Sequence, residues 1–270
     1  VIALARVLTG LGIPGPGGNR RLEMFAGSNR RVFGGQQQQA PAQSGPFGAV
    51  FDPRRHDFSD KVILGQTIKG SGEHEIDQAI TMLCRTPATA HHISYQLAQY
   101  FVDDNPPEAL VTRMAGTFEK TDGDIRSVLS ELFHSPEFWD KRYASSKFKS
   151  PYRYVVSSLR AANVALDDYK PVTGFFRQLG MPLYACLTPD GYKNTQIAWL
   201  SPDSLLQRIS FATGLGTGKI PNNPLDPLDY KEVSKAMGNS ITQKTLDVVA
   251  QSPPPLKSSL LLGSPEFMNY

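Results

Sequence analysis

From residue 73 onward, apolar residues return at helical spacing in one segment after another. That recurrence confines most of the chain to packed helices. "EHEIDQAITMLCR" sets Ile76, Ile80, Leu83 and Cys84 on one side, and "TPATAHHISYQLAQYFV" carries Ala90, Ile93, Leu97, Tyr100 and Phe101 in a stripe. "PPEALVTRMAGTF" offers Leu110, Met114 and Phe118, and "TDGDIRSVLSELF" offers Ile125, Val128, Leu129, Leu132 and Phe133. "SPYRYVVSSLRAANV", "SPDSLLQRISFATG" and the shorter "PVTGFFRQLG" repeat the pattern, and a Pro- and Gly-rich stretch at 214–230 leads into the last segment. Stripes this wide belong to helices that cover one core.

The first 72 residues read differently. "VIALARVLTG" has the period of the back half of an amphipathic helix, with Ile2, Ala5 and Leu8 on similar faces and Gly10 as its stop. The chain thus reads as starting inside an element, with a further portion before it. A long irregular loop follows, with a Gln-Ala-Pro-Ser tract that predicts mobility at 34–47. The β-favouring runs "AVF" and "KVILGQTI" flank a polar turn and predict a short hairpin near 49–69. The expected fold is mainly α: a multi-helix, bundle-like domain with one small hairpin and long irregular loops. Residues 1–72 hold the helix end, loop and hairpin, residues 73–270 the helical domain, and one core runs through both.

"HSPEF" at 134–138 and "GSPEF" at 263–267 repeat a word after apolar runs. A Ser hydroxyl can accept from an unpaired helix N–H, and Pro next to it has no N–H to leave unpaired. Glu just inside suits the positive helix end. Ser/Thr-Pro recurs at Thr86, Ser150 and Ser201, so the word reads as helix punctuation, with Phe138 and Phe267 as apolar anchors. "TDGD" at 121–124 reads as a capping box of Thr121 and Asp124 rather than a cation loop, because the calcium-loop spacing is absent.

A net charge of +3 gives no electrostatic reason to expect nucleic acid, and the Arg-Arg pairs lack an aromatic-rich basic strand. No stretch approaches the ~20 apolar residues of a membrane span. Cys84 reads as a buried free thiol, and a Cys84–Cys186 disulfide would require an oxidising compartment. "GLGIPG" has the spacing G-x-G-x-x-G, but a helix precedes it and prolines follow, so it reads as loop; "GLGTGK" lacks the phosphate-loop spacing. His91 and His92 are adjacent and cannot face one ligand from a helix. The richest cluster is "RRHDFSDK". His56, Asp57 and Lys61 could ligate a metal or work as an acid–base set, or they could form a polar network that fixes a turn. "TPDGYKNTQIAW" could bring Asp190, Tyr192 and Trp199 to a substrate cleft, although "PDG" is also a turn tripeptide. No motif names a cofactor or a metal, and both stay open.

In order along the chain, "ARVLTG", "HDFSDKVILGQTI", "TPATAHHISYQLAQYFV", "TDGDIRSVLSELFHSPEF", "SPYRYVVSSLRA", "PDGY", "LLQRISFA" and "GSPEFMNY" resemble the bacterial domain-of-unknown-function family 1800. The resemblance spans the chain and brings no reaction with it. It implies a further helical portion before residue 1 and, since members often look exported, a place in the periplasm, on the surface or outside the cell. Within the family's pattern His56, Asp57 and Lys61 stand at "HD…K", and the Gln-rich segment 36–39 looks like an insertion outside any shared site. The function expected is an exported binding or envelope-assembly component without a visible catalytic set. Its partner is the preceding portion of the same protein or another protein chain. The alternative is an extracytoplasmic hydrolase or metal-assisted enzyme that joins His56, Asp57 and Lys61 to Asp190 and Tyr192.

Overall fold

The computed structural model describes residues 1–12 and 49–270. Of the expected irregular loop, residues 13–48, with 34–47 and the Gln-rich segment, lie outside the described residues, while Leu11–Gly12 form a short strand. The chain divides into two compact units, Val1–Thr89 and Ala90–Tyr270. It is mainly α-helical, and among the described residues its strands form only two-stranded antiparallel pairs.

The first unit contains α1 (Ile2–Val7), β1 (Leu11–Gly12), β2 (Val50–Phe51), β3 (Lys61–Ile63), β4 (Gln66–Ile68) and α2 (His74–Cys84), and it includes the start of α3 (Pro87–Phe101). A hairpin forms, but inside "KVILGQTI" alone: Lys61 pairs with Ile68 and Ile63 with Gln66. Leu64 and Gly65 turn it with φ of 49° and 79°, the positive pair that a two-residue hairpin needs. "AVF" does not join it, because Val50 and Phe51 pair with Gly12 and Leu11 instead. Strand alternation in β3 turns Lys61 and Ile63 inward and Val62 outward.

Two helix faces differ from the expected ones. In α1, Val7 is buried with Ala3 and Leu4 against it, while Ile2, Ala5 and Leu8 are exposed. In α2 the buried set is Glu75, Ile76 and Ala79, and Ile80 and Cys84 are exposed. Glu75 has buried partners that draw it inward, and this rotates the apolar side of α2 by about one residue. Cys84 ends the helix beyond the part covered by α1 and the hairpin, and both cysteines are free.

Beyond α3, the second unit contains α4 (Glu108–Lys120), α5 (Ile125–His134), α6 (Pro151–Ala161), α7 (Lys170–Gln178), α8 (Gln196–Trp199) and α9 (Pro202–Gly216). The pair β5 (Lys219–Ile220) and β6 (Asn223–Pro224) leads to α10 (Tyr230–Met237), α11 (Gln243–Gln251), α12 (Pro254–Leu262) and α13 (Pro265–Met268). One apolar cluster joins α3, α4 and α5 through Ala98, Leu110, Met114, Val128 and Leu132. A larger one gathers Tyr154, Phe175, Phe211, Leu215, Leu261 and Phe267 from the remaining helices.

Ser150, Ser201 and Ser264 each cap a helix by accepting from the backbone N–H three residues on, as the Ser-Pro rule requires. Ser135 makes the same contact with Phe138 N–H, but only a turn follows; Ser135 is the C-cap of α5. "TDGD" also departs from expectation. Asp124 itself is the N-cap of α5, accepting from Ser127 N–H, and Thr121 is the C-cap of α4. Asp122 and Gly123 take positive φ between them, so the tetrapeptide joins two helices and is no capping box.

The last residues do more than close a helix. Phe148 and Asn269 form an antiparallel bridge, Lys149 N–H donates to the Met268 carbonyl at 2.8 Å, and Tyr270 N–H donates to that of Lys147 at 2.9 Å. This clip holds the tail at the start of α6.

α9 and α12 approach closely at Gly216, where a Cβ would lie 2.7 Å from Ser259 N. Gly216→Ala should therefore lower stability by about 1–3 kcal/mol. The fall should appear in the urea midpoint, with a circular dichroism spectrum that keeps its helical shape.

Candidate functional site

In the first unit the polar cluster assembles from four short pieces of chain. Asp52 caps the single turn Pro53–Arg55, accepting from Arg54 N–H at 3.0 Å, and the chain leaves it extended at His56. The imidazole sits beside Phe51 and Phe58, with ring centroids 5.1 and 4.9 Å away. Its Nδ1 lies 2.7 Å from the Thr9 carbonyl, which can only accept, so Nδ1 donates there, as Nε2 does to the carboxylate on its other side. Its Nε2 lies 3.0 Å from Glu75 Oε1. Lys61, turned inward by strand alternation, donates Nζ to Glu75 Oε2 and to the Asp57 carbonyl. Gly72 N–H completes the set at 2.9 Å from Glu75 Oε1.

The side chains of His56, Lys61 and Glu75 are all at 0% exposure. Burial works against the charge on Glu75. Donation by Lys61, His56 and the Gly72 N–H outweighs it and holds the carboxyl down at about 2. Asp57 turns its own carboxylate outward. Arg6 Nε donates to it at 2.7 Å, and Ser59 donates its N–H at 2.9 Å and its hydroxyl at 2.6 Å, which keeps it well below the usual carboxylate range.

The three expected residues are thus neighbours, arranged around an acid that was not expected. Glu75 left a signal in the sequence: an acidic residue inside the helical stripe, four positions before Ala79. Chemically the arrangement is closed. Both Glu75 oxygens are occupied, both imidazole nitrogens are engaged, and the ammonium has two acceptors, so the cluster ties α1, the 52–61 turn, the hairpin and α2 together.

Asp190, Tyr192 and Trp199 belong to the second unit. Tyr192 and Trp199 meet edge to face at 6.1 Å, and each donates to a loop carbonyl, Tyr192 Oη to Pro182 at 2.6 Å and Trp199 Nε1 to Lys193 at 2.8 Å. Asp190 lies on the surface and binds the ammonium of Lys193 at 2.5 Å. These contacts shape the 182–199 loop.

The second unit also holds a cavity of about 620 Å³ that no motif announced. It runs along α6 and is closed by the end of α10 and by the tail at Phe267–Tyr270. Lys149, Arg153 and Arg160 line it. Lys149 Nζ lies 3.9 Å above the Phe267 ring, and the Arg153 guanidinium is held between Tyr100 and Tyr270 at 4.7 and 4.2 Å from their centroids. Burial, together with the nearby charge of Arg208, lowers Lys149 to about 8. Arg208 is fully buried between Phe148 and Tyr154, donates Nη2 to the Lys149 carbonyl at 2.8 Å, and leaves Nε and Nη1 without a hydrogen-bond partner among the described residues.

Over residues 1–269 the chain matches the family described as Protein of unknown function (DUF1800). It belongs to that family. No curated protein and no solved structure matches it. The DUF1800 match takes in both units, so the buried cluster and the cavity lie within the family's span. Among the described residues no helix is long and apolar enough to cross a membrane, and no three His, Cys, Asp or Glu side chains stand together as metal ligands.

Gln keeps one oxygen for the His56 and Gly72 donors but turns an amide NH2 on the Lys61 ammonium and removes the buried countercharge, so Glu75→Gln should cost about 3–5 kcal/mol in urea unfolding at neutral pH. Because the folded-state value of Glu75 lies below its ordinary 4.5, its contribution is present above that pH and is lost as pH falls through about 2. The difference in stability between wild type and Glu75→Gln should therefore shrink across that acid window.

Proposed function

We propose that this DUF1800 protein is a non-catalytic binding component that works outside the cytoplasm. The observation that carries the binding role is the cavity along α6, which is lined by Lys149, Arg153 and Arg160 with no carboxylate in ion-pair contact among the described residues. A concavity of this volume suits a small molecule or a segment of a polymer. The first-unit cluster supports the same reading from the other side. His56 and Lys61 are buried and occupied by Glu75, whereas a general acid or base must reach its substrate. The extracytoplasmic place is supported by the resemblance of the chain to exported family members. The binding role serves an assembly with a partner protein chain.

The test is turnover of 4-nitrophenyl acetate by wild type and by Asp57→Asn, a substitution at a solvent-facing carboxylate. Both proteins should release 4-nitrophenolate at the background rate. Release by wild type that Asp57→Asn abolishes would establish the hydrolase instead. Fractionation of the source cells should place the protein outside the inner membrane, and recovery with the cytosol would overturn that part.

A further inference from the structure

Lys149, Arg153 and Arg160 line the second-unit cavity against a single carboxylate, Glu266. Glu266 is engaged elsewhere, accepting from the hydroxyls of Thr242 and Thr245, the latter at 2.9 Å. Asp104, the acid whose charge is felt by Tyr270, is bound by the ammonium of Lys147. Behind the cavity wall Arg208 adds a fourth cation, in contact with the backbone of Lys149. None of the four has an ion-pair partner among the described residues. Like charges gathered at reduced dielectric repel one another, and an anion in the cavity removes that repulsion.

The side chains also select the kind of anion. Arg153, Ser157 and Arg160 follow one another at four- and three-residue steps, which lays them along a single stripe of α6, and Lys149 stands just before its N-cap, Ser150. The Tyr100 and Tyr270 rings, 4.7 and 4.2 Å from the Arg153 guanidinium, restrain a group whose N–H fork suits bidentate contact with an oxyanion. Val156 and Met237 supply apolar lining. A carboxylate would bring one charge and two oxygens to this array. A phosphate monoester brings nearly two charges and three acceptor oxygens, and it fits the excess of cations.

We infer that the cavity binds the phosphate-monoester group of a small molecule, with Arg153 and Lys149 on the phosphate and the carbon skeleton against Val156 and Met237. This assignment rests on the binding role proposed above and names its ligand class.

The probes are 4-nitrophenyl phosphate and 4-nitrobenzoate, titrated into the whole protein by calorimetry while 4-nitrophenolate release is followed in the same samples. The phosphate should bind saturably, roughly tenfold or more tighter than the benzoate, and stay intact. Arg153→Leu should weaken it by about tenfold or more, and so should Arg160→Ala, a surface change that spares the ring packing. Benzoate bound as tightly as the phosphate would overturn the phosphate assignment and leave the binding role standing. Phenolate release abolished in Arg153→Leu would overturn the binding role itself. Absence of binding by both probes, or binding undiminished in both variants, would overturn the site.

Discussion

A carboxylate taken out of water stays ionised only if donors replace the water, and Glu75 organises the first unit through that requirement. Its partners come from four places in the chain: the imidazole after the 53–55 turn, the ammonium of β3, the Gly72 N–H before α2, and, one contact further, the Thr9 carbonyl after α1. None of these segments is long enough to hold its place by helix or strand propensity alone. The small apolar cluster of Val7, Ile63, Ile68, Ile76 and Ala79 packs in register with this network. A dry, directional set of contacts supplies the specificity that two-residue strands lack.

Arg208 in the second unit has no such answer. It is buried, it lies between two aromatic rings, and it makes one hydrogen bond through Nη2, to a carbonyl. The aromatic faces offset part of the desolvation, and burial still pulls its guanidinium down to about 10. Its charge is felt at Lys149, on the wall of the cavity. One unit thus closes its buried charges on themselves, and the other leaves positive charge facing an open space. That contrast, more than any motif, directs attention from the "HD…K" residues to the α6 cavity.

The cavity exists because of packing at some distance from it. Gly216 lets α9 lie against Ser259 of α12, and the clip between 147–149 and 268–270 brings Phe267 and Tyr270 to the first turns of α6. The second SPEF word therefore serves more than capping: it starts the single helical turn that delivers these rings. The first SPEF word makes the same serine contact and then merely turns the chain, because Phe138 packs at the α3–α5 cluster and no helix continues beyond it.

The sequence by itself determined the helical class, the Ser/Thr-Pro starts, the existence of a small hairpin somewhere in 49–69 and the family, because each depends on spacing or on neighbours a few residues apart. His56, Asp57 and Lys61 were visible as a group for the same reason. Their partner Glu75 was hidden by reading α2 as an apolar stripe, and that error also misplaced Ile80 and Cys84. The face that α2 buries is decided by donors 14 and 19 residues away in the chain. The tertiary structure alone decided the α6 cavity, since Lys149, Arg153, Met237 and Tyr270 share no local pattern. Burial and charge are properties of what surrounds a side chain, and for these residues the surroundings come from distant parts of the chain.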